Sequence, residues 1–127
     1  MDAINLSHLN ILIAEDQVIN QFILRKIFSK WNLSPVFVSN GEEAVKACQS
    51  SQFDLVFLDI QMPIMGGYEA ARIIRSKNET LPIIAISATA FLEASEEVKK
   101  SGMNAFIGKP YTPQELLTCI HQNTSAA

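Results

Sequence analysis

Short apolar runs alternate along this chain with segments whose apolar residues return every three or four positions. The first run, Leu-Asn-Ile-Leu-Ile-Ala at residues 9–14, ends in two adjacent carboxylates, Glu15 and Asp16. Ile19, Phe22, Ile23, Ile27 and Trp31 then recur near the helical period, which predicts an amphipathic helix over 18–31. Ser34-Pro35 opens a brief run, Val36-Phe37-Val38, whose leading Pro and modest apolarity suit an edge strand. Asn40-Gly41-Glu42-Glu43 reads as a helix start, with Asn40 as cap and Glu43 at the third position. Ala44, Val45 and Cys48 form the inward face of that helix.

Four apolar residues, Leu55 to Leu58, lead directly into Asp59 and a loop containing Pro63, Gly66 and Gly67. A run this short, bounded by turn signals, predicts a strand of a parallel sheet buried on both faces. A helix follows, with Tyr68, Ala71 and Ile74 on one side and Glu69, Arg72 and Arg75 more exposed. Residues 82–86 form the fourth strand. The next helix, about 92–101, has a thin apolar face (Leu92, Ala94, Val98), so it should be loosely held; Gly102 ends it. Residues 105–107 are a short fifth strand running into Gly108-Lys109-Pro110. Thr112-Pro113-Gln114-Glu115 carries three helix-start signals, and Leu116, Leu117 and Ile120 continue that helix. Five strands alternating with five helices predict a single α/β domain over 1–127, with a core at 9–122. Its expected form is a doubly wound five-stranded parallel sheet of order 2-1-3-4-5, flavodoxin-like in architecture.

Composition narrows the partners. Ten Lys+Arg against 13 Asp+Glu give a formal net charge of −3, and the basic residues are scattered. That argues against nucleic acid as the main partner, because phosphate backbones need clustered Lys and Arg. The two cysteines, Cys48 and Cys119, have no CxxC partner and read as reduced thiols. No apolar run is long enough to span a bilayer, and residues 1–10 lack the pattern of a signal peptide. The expected location is the cytoplasm.

The strand order gathers chemistry at one rim, because ligands of such sheets bind outside the carboxyl ends of the strands. Strand one brings Glu15 and Asp16, strand three Asp59, strand four Ser87 and strand five Lys109. Crowded carboxylates need a proton or a cation. An all-oxygen set without a nearby His favours Mg²⁺ over zinc. A carboxylate on phosphorus gives an acyl phosphate, so Asp59 is the candidate nucleophile, with Glu15 and Asp16 for the metal. Lys109 and the Ser87 hydroxyl would meet phosphoryl oxygens. Taken singly, each of these signals is weak, and a lone Asp after a strand is usually only a cap. Capping does not explain why all of them stand at the same end of the right strands.

Four segments carry a resemblance: Ile13-Ala14-Glu15-Asp16, Leu58-Asp59-Ile60-Gln61-Met62-Pro63-Ile64-Met65-Gly66-Gly67, Ile86-Ser87-Ala88 and Gly108-Lys109-Pro110. With these the chain resembles the receiver domain of two-component response regulators over nearly its whole length. The resemblance implies phosphotransfer to Asp59 from a phosphohistidine on a histidine kinase or phosphotransfer domain. It implies Mg²⁺ held by Asp16, Asp59 and the Gln61 carbonyl, with Glu15 acting through water. It implies a switch in which Ser87 and Phe106 move and the face of helix four, strand five and helix five changes partners. It also implies a cis bond between Lys109 and Pro110. Glu15 and Ser87 stand where Asp and Thr are commoner, and Phe106 lacks the hydroxyl of a Tyr. Phe106, Phe91 and Tyr111 are candidates for switch or interface roles and equally for core. Asn20-Gln21 and Gln61-Met62-Pro63 look like receivers fused to hybrid histidine kinases; a stand-alone receiver is the rival.

Three other functions fit less well. A Mg²⁺-dependent phosphohydrolase using Asp59 wants a second acid/base Asp where Gln61 stands. A flavodoxin-like cofactor binder needs Gly, Ser or Thr where Glu15-Asp16-Gln17 stand. A non-phosphorylated binding module would lack Asp59 or Lys109.

Overall fold

The computed structural model describes residues 4–88 and 91–124, without the side chains of 91–95. Five strands, β1 (Ile11–Ala14), β2 (Val36–Val38), β3 (Leu55–Asp59), β4 (Ile83–Ser87) and β5 (Ala105–Gly108), form one parallel sheet in the order β2-β1-β3-β4-β5. Five helices alternate with them: α1 (Val18–Ser29), α2 (Gly41–Ser50), α3 (Gly67–Lys77), α4 (Phe91–Lys100) and α5 (Pro113–Asn123). The predicted fold class and strand order are both observed. The boundaries shift by one or two residues: α1 ends two residues early, and β1 starts two residues late, so that Asn10 lies before the strand and its carbonyl takes the Asp54 N–H at 2.7 Å.

Side chains alternate across the sheet and build two cores. Ile11, Ile13, Leu55, Phe57, Ile84 and Ile86 face α1 and α5, meeting Leu24, Phe28, Leu116 and Ile120. Leu12, Ala14, Val56, Leu58, Ile83 and Ala85 face the other way, against Ala44, Ala70, Ala71, Ile74 and Val98 of α2, α3 and α4. A strand covered on both faces has no polar side to show, which is why β3 reads as an unbroken apolar run. Phe28 is fully buried, 5.5 Å from the Trp31 ring and 6.0 Å from Phe57.

The helix starts follow their sequence signals. Asn40 accepts the Glu43 N–H, while the Glu43 carboxylate reaches Ser39 N rather than the cap's own. Thr112 and Glu115 form a full reciprocal capping box. Two expectations need correction. Arg75 is half-buried: its guanidinium donates to Gly102 O, Asn78 O and Asn104 Oδ1 at 2.8–2.9 Å. Its planar fork of donors ties the end of α3 to the turn before β5. On α1 the periodic apolar residues divide between two faces. Leu24 and Phe28 are buried, with Trp31 just beyond, whereas Val18, Ile19, Phe22 and Ile23 are 77%, 74%, 54% and 44% exposed. The helix is apolar over too much of its circumference for one core to cover.

Phe28→Ala should remove about 3–5 kcal/mol of stability, the usual range for emptying a buried aromatic site. Urea unfolding monitored by Trp31 fluorescence measures it. A loss under about 1 kcal/mol would mean that α1 is not held through Phe28.

Candidate functional site

Each strand delivers its last residues to one rim. After β1, the Glu15 N–H bonds to Val38 O of β2 at 3.0 Å, which turns the Glu15 side chain inward. That carboxylate is buried, and its Oε2 accepts the Gln17 N–H at 2.9 Å. Gln21, one turn into α1, donates from Nε2 to the Glu15 carbonyl at 2.6 Å. Asp16 is half-buried beside it. Asp59, the last residue of β3, is buried, and its Oδ1 accepts the Gln61 N–H at 3.1 Å.

Lys109 closes the arrangement. Its backbone N–H bonds to Ser87 O at 2.8 Å, so β4 positions the residue that follows β5. Its Nζ lies 2.5 Å from Asp59 Oδ2 and 3.3 Å from Glu15 Oε1. Burial alone would lower the Lys109 pKa. The hydrogen bond and charge of Asp59, together with Glu15, outweigh it and hold the ammonium above its ordinary value. The Lys109–Pro110 bond is cis, in agreement with the resemblance.

Oxygens of Glu15, Asp16 and Asp59 all lie within 4.8 Å of one another. At that spacing two carboxylates repel by about 3 kcal/mol at an effective dielectric near 20. One ammonium cannot balance three carboxylates. The excess negative charge on an all-oxygen set fits a small hard divalent cation.

Gly67 lets the loop after β3 return this closely. A Cβ there would stand 2.4 Å from Asp59 O, on a backbone that cannot yield. Its N–H closes the loop on Ile60 O at 3.0 Å.

The structure thus brings together Glu15, Asp16, Asp59, Gln61, Ser87 and Lys109. Ser87 is buried at the end of β4, in register with Gly108. Phe106 packs half-buried on the core of the α2–α4 side. Tyr111 packs on the opposite core, and burial and the Glu15 carboxylate raise its phenol pKa against the pull of Lys109. The side chain of Phe91 lies outside the described residues. Burial pushes the Cys48 and Cys119 thiols up to about 11, so neither is poised as a nucleophile. Sequence reasoning missed the Gln17 and Gln21 supports of Glu15 and the exposed apolar residues beside the rim. The surplus of apolar positions on α1 was the signal available.

Comparisons with known proteins agree with this geometry. A family model, the response regulator receiver domain, matches residues 11–121. Histidine kinase 5 of Arabidopsis thaliana is 34% identical over an alignment covering 88% of this chain and 15% of its own length. Hybrid signal transduction histidine kinase A of Dictyostelium discoideum is 37% identical over 80% of this chain and 5% of its own length. This chain therefore spans only a small part of those relatives. Two-component response regulator 24 of Arabidopsis thaliana is 32% identical over 91% of this chain and 84% of its own. Among solved structures, the receiver domain of a Pseudomonas aeruginosa sensor histidine kinase, with a magnesium ion in its active-site cleft, has a TM-score of 0.84 at 28% identity. The match covers 91% of this chain and 96% of that one. The receiver domain of Ssk1 from Saccharomyces cerevisiae, solved with the histidine phosphotransfer protein Ypd1, has a TM-score of 0.86 at 30% identity, over 92% and 89% of the two chains.

The stabilising contribution of Lys109 should be present in full below its ordinary pKa of 10.5 and fade as pH rises through its raised folded-state value. Urea unfolding of the parent and Lys109→Met, carried from neutral pH to beyond 10.5, reads this as a shrinking difference. A difference that grows with pH would contradict the ion-pair assignment.

Proposed function

This chain belongs to the response regulator receiver family, and on that premise we propose that Asp59 accepts a phosphoryl group from a phosphohistidine in a two-component phosphorelay. The observation that carries the proposal is the placement of the Asp59 carboxylate against Lys109 Nζ, within a cluster of three carboxylates. A carboxylate oxygen of Asp59 attacks phosphorus. The new O–P bond forms as the N–P bond to the donor imidazole breaks, and that electron pair returns to the ring nitrogen. The reaction demands positioning and charge stabilisation more than further covalent chemistry.

Glu15, Asp16, Asp59 and the Gln61 carbonyl would hold Mg²⁺, which when bound offsets the negative charge of the phosphoryl oxygens. The chain's own residues do the rest. Lys109, already aimed at Asp59, meets a second phosphoryl oxygen. Gln17 N–H and Gln21 keep Glu15 from swinging out of the rim. Ser87 donates to a phosphoryl oxygen, and its shift, with that of Phe106, changes the face formed by α4, β5 and α5. Phe91 and Tyr111 would border that change.

The donor is a histidine kinase or a histidine phosphotransfer protein. It would settle on the exposed apolar residues Val18, Ile19, Phe22 and Ile23, which begin two positions after Asp16. Contiguous apolar surface of this kind marks a place where another molecule docks. The Ssk1 receiver, bound to Ypd1, supports a partner of that type. No helix among the described residues is long and apolar enough to cross a membrane. A cytoplasmic module of a longer hybrid kinase is the reading that the kinase relatives favour.

Intact mass after incubation with acetyl phosphate should show a gain of one phosphoryl group that requires Mg²⁺. Asp59→Asn should abolish it while circular dichroism stays native. Incorporation that persists in Asp59→Asn would place the acceptor elsewhere. Phe22→Asp should leave labelling by acetyl phosphate intact and slow transfer from a phosphohistidine protein at least about tenfold, a penalty of about 1.4 kcal/mol; equal slowing from both donors would remove α1 from the docking surface.

A further inference from the structure

Asn40 is the one asparagine of this sequence that is followed by a glycine. That dipeptide carries chemistry of its own. The amide nitrogen of the following residue can attack the side-chain carbonyl carbon of the asparagine, and a glycine has no side chain to hinder the approach. A solvent base first takes the proton from Gly41 N. The bond from Gly41 N to Asn40 Cγ forms, the bond from Cγ to the side-chain nitrogen breaks, and that nitrogen leaves as ammonia with a proton from water. Water then opens the cyclic imide at either carbonyl and leaves aspartate, linked to Gly41 through its α- or its β-carboxyl group. The sum is asparagine plus water to aspartate plus ammonium.

The fold holds both reacting groups in other bonds. The Gly41 N–H donates to Met65 O at 2.8 Å, in the loop between β3 and α3. An N–H bonded in this way gives up its proton less readily, because the acceptor stabilises the protonated form. The Asn40 side chain is engaged as the cap of α2, where its Oδ1 accepts the Glu43 N–H at 2.9 Å. The Asn40 carbonyl accepts the Ala44 N–H at 3.1 Å, so the peptide unit between Asn40 and Gly41 is fixed at its oxygen and at its nitrogen. Asn40 is 8% exposed, and Gly41 is covered so closely that an added Cβ would stand 2.6 Å from Met65 O and 3.0 Å from Ala70 Cβ.

These bonds differ in origin. The cap bonds join residues within four positions and form wherever α2 forms. The bond from Met65 comes from a distant segment, the loop that follows Asp59. Gly66 and Gly67 let that loop lie close to β3, since added Cβ atoms would stand 3.0 Å from Ile60 O and 2.4 Å from Asp59 O. Base and water reach the Asn40–Gly41 peptide only when the loop moves off it.

We propose that Asn40–Gly41 is a latent deamidation site that the β3–α3 loop keeps closed, so that its modification records how often the loop releases α2. The inference does not depend on phosphoryl chemistry at Asp59. Its two products differ in consequence. The α-linked product places Asp at the cap, where it serves as well as Asn. The β-linked product lengthens the main chain at the start of α2, and the peptide unit no longer spans the Ala44 N–H and Met65 O. A transient opening of the loop thereby becomes a permanent one.

The test measures two rates at mildly alkaline pH: deamidation at residue 40, by peptide mapping that separates the two aspartate products, and deuterium exchange of the Gly41 amide, by NMR. In urea the unfolded parent should deamidate at Asn40 before any other asparagine. The folded parent should do so at least about tenfold more slowly, because opening must precede attack. Gly67→Ala drives the loop off Asp59 O and should raise both rates at least about threefold; Gly66→Ala, with a milder clash, should move both the same way and serves if Gly67→Ala does not fold. Ile120→Val, a small packing loss in the opposite core, should leave both within about twofold of the parent. Equal deamidation of the folded and unfolded parent would overturn the proposal, as would another asparagine reacting first in urea. So would glycine variants in which Gly41 exchange rises and deamidation does not, since the Met65 bond would then not be the gate. A rise with Ile120→Val as large as with the glycine variants would make global unfolding the route and would overturn it too.

Discussion

Three carboxylates and one ammonium share the rim of this sheet, and the architecture behind them serves to keep them there. Carboxylates at this spacing would separate if their backbones were free to move. They are not free, because β1 and β3 are adjacent strands locked by parallel hydrogen bonds and buried on both faces. Lys109 relieves part of the repulsion and crosses from β5 to do so. The remaining negative charge is what a divalent cation and an incoming phosphoryl group would find.

The supports of this rim are mostly backbone groups. Gln17 and Gln61 N–H groups fix carboxylate oxygens, the Ser87 carbonyl fixes Lys109, and the Val38 carbonyl fixes Glu15. Groups held by the main chain do not reorganise as charge moves, which is the condition for electrostatic stabilisation of a transferring group. Gly67 contributes by what it lacks, since any side chain there would collide with the Asp59 carbonyl.

Around the rim the surface departs from what stability alone would select. Val18, Ile19, Phe22 and Ile23 expose apolar area on one side, and Ile64 holds a strained turn on the other. Both features stand within a few residues of the carboxylates. Arg75 shows the opposite case. A side chain expected at the surface is instead drawn inward to satisfy three acceptors at the back of the molecule.

The alternation of apolar runs with helical periodicity was enough to set the elements, the parallel sheet and its strand order, because a strand buried on both faces has to be apolar throughout. The same pattern placed Glu15, Asp16, Asp59, Ser87 and Lys109 at strand ends, and the motifs around them carried the family resemblance. Local signals also set the caps at Asn40 and Thr112, whose partners lie within four residues. Long-range geometry was a different matter. That Lys109 Nζ meets Asp59 rather than solvent, that Phe28 rather than Phe22 enters the core, and that Ile64 is held at positive φ by a bond from α2 to its neighbour were decided only in three dimensions. Periodicity tells which residues share a helix face. Which of two apolar faces is covered depends on what packs against it, and the backbone angle of a turn residue depends on the distant groups that hold its neighbours.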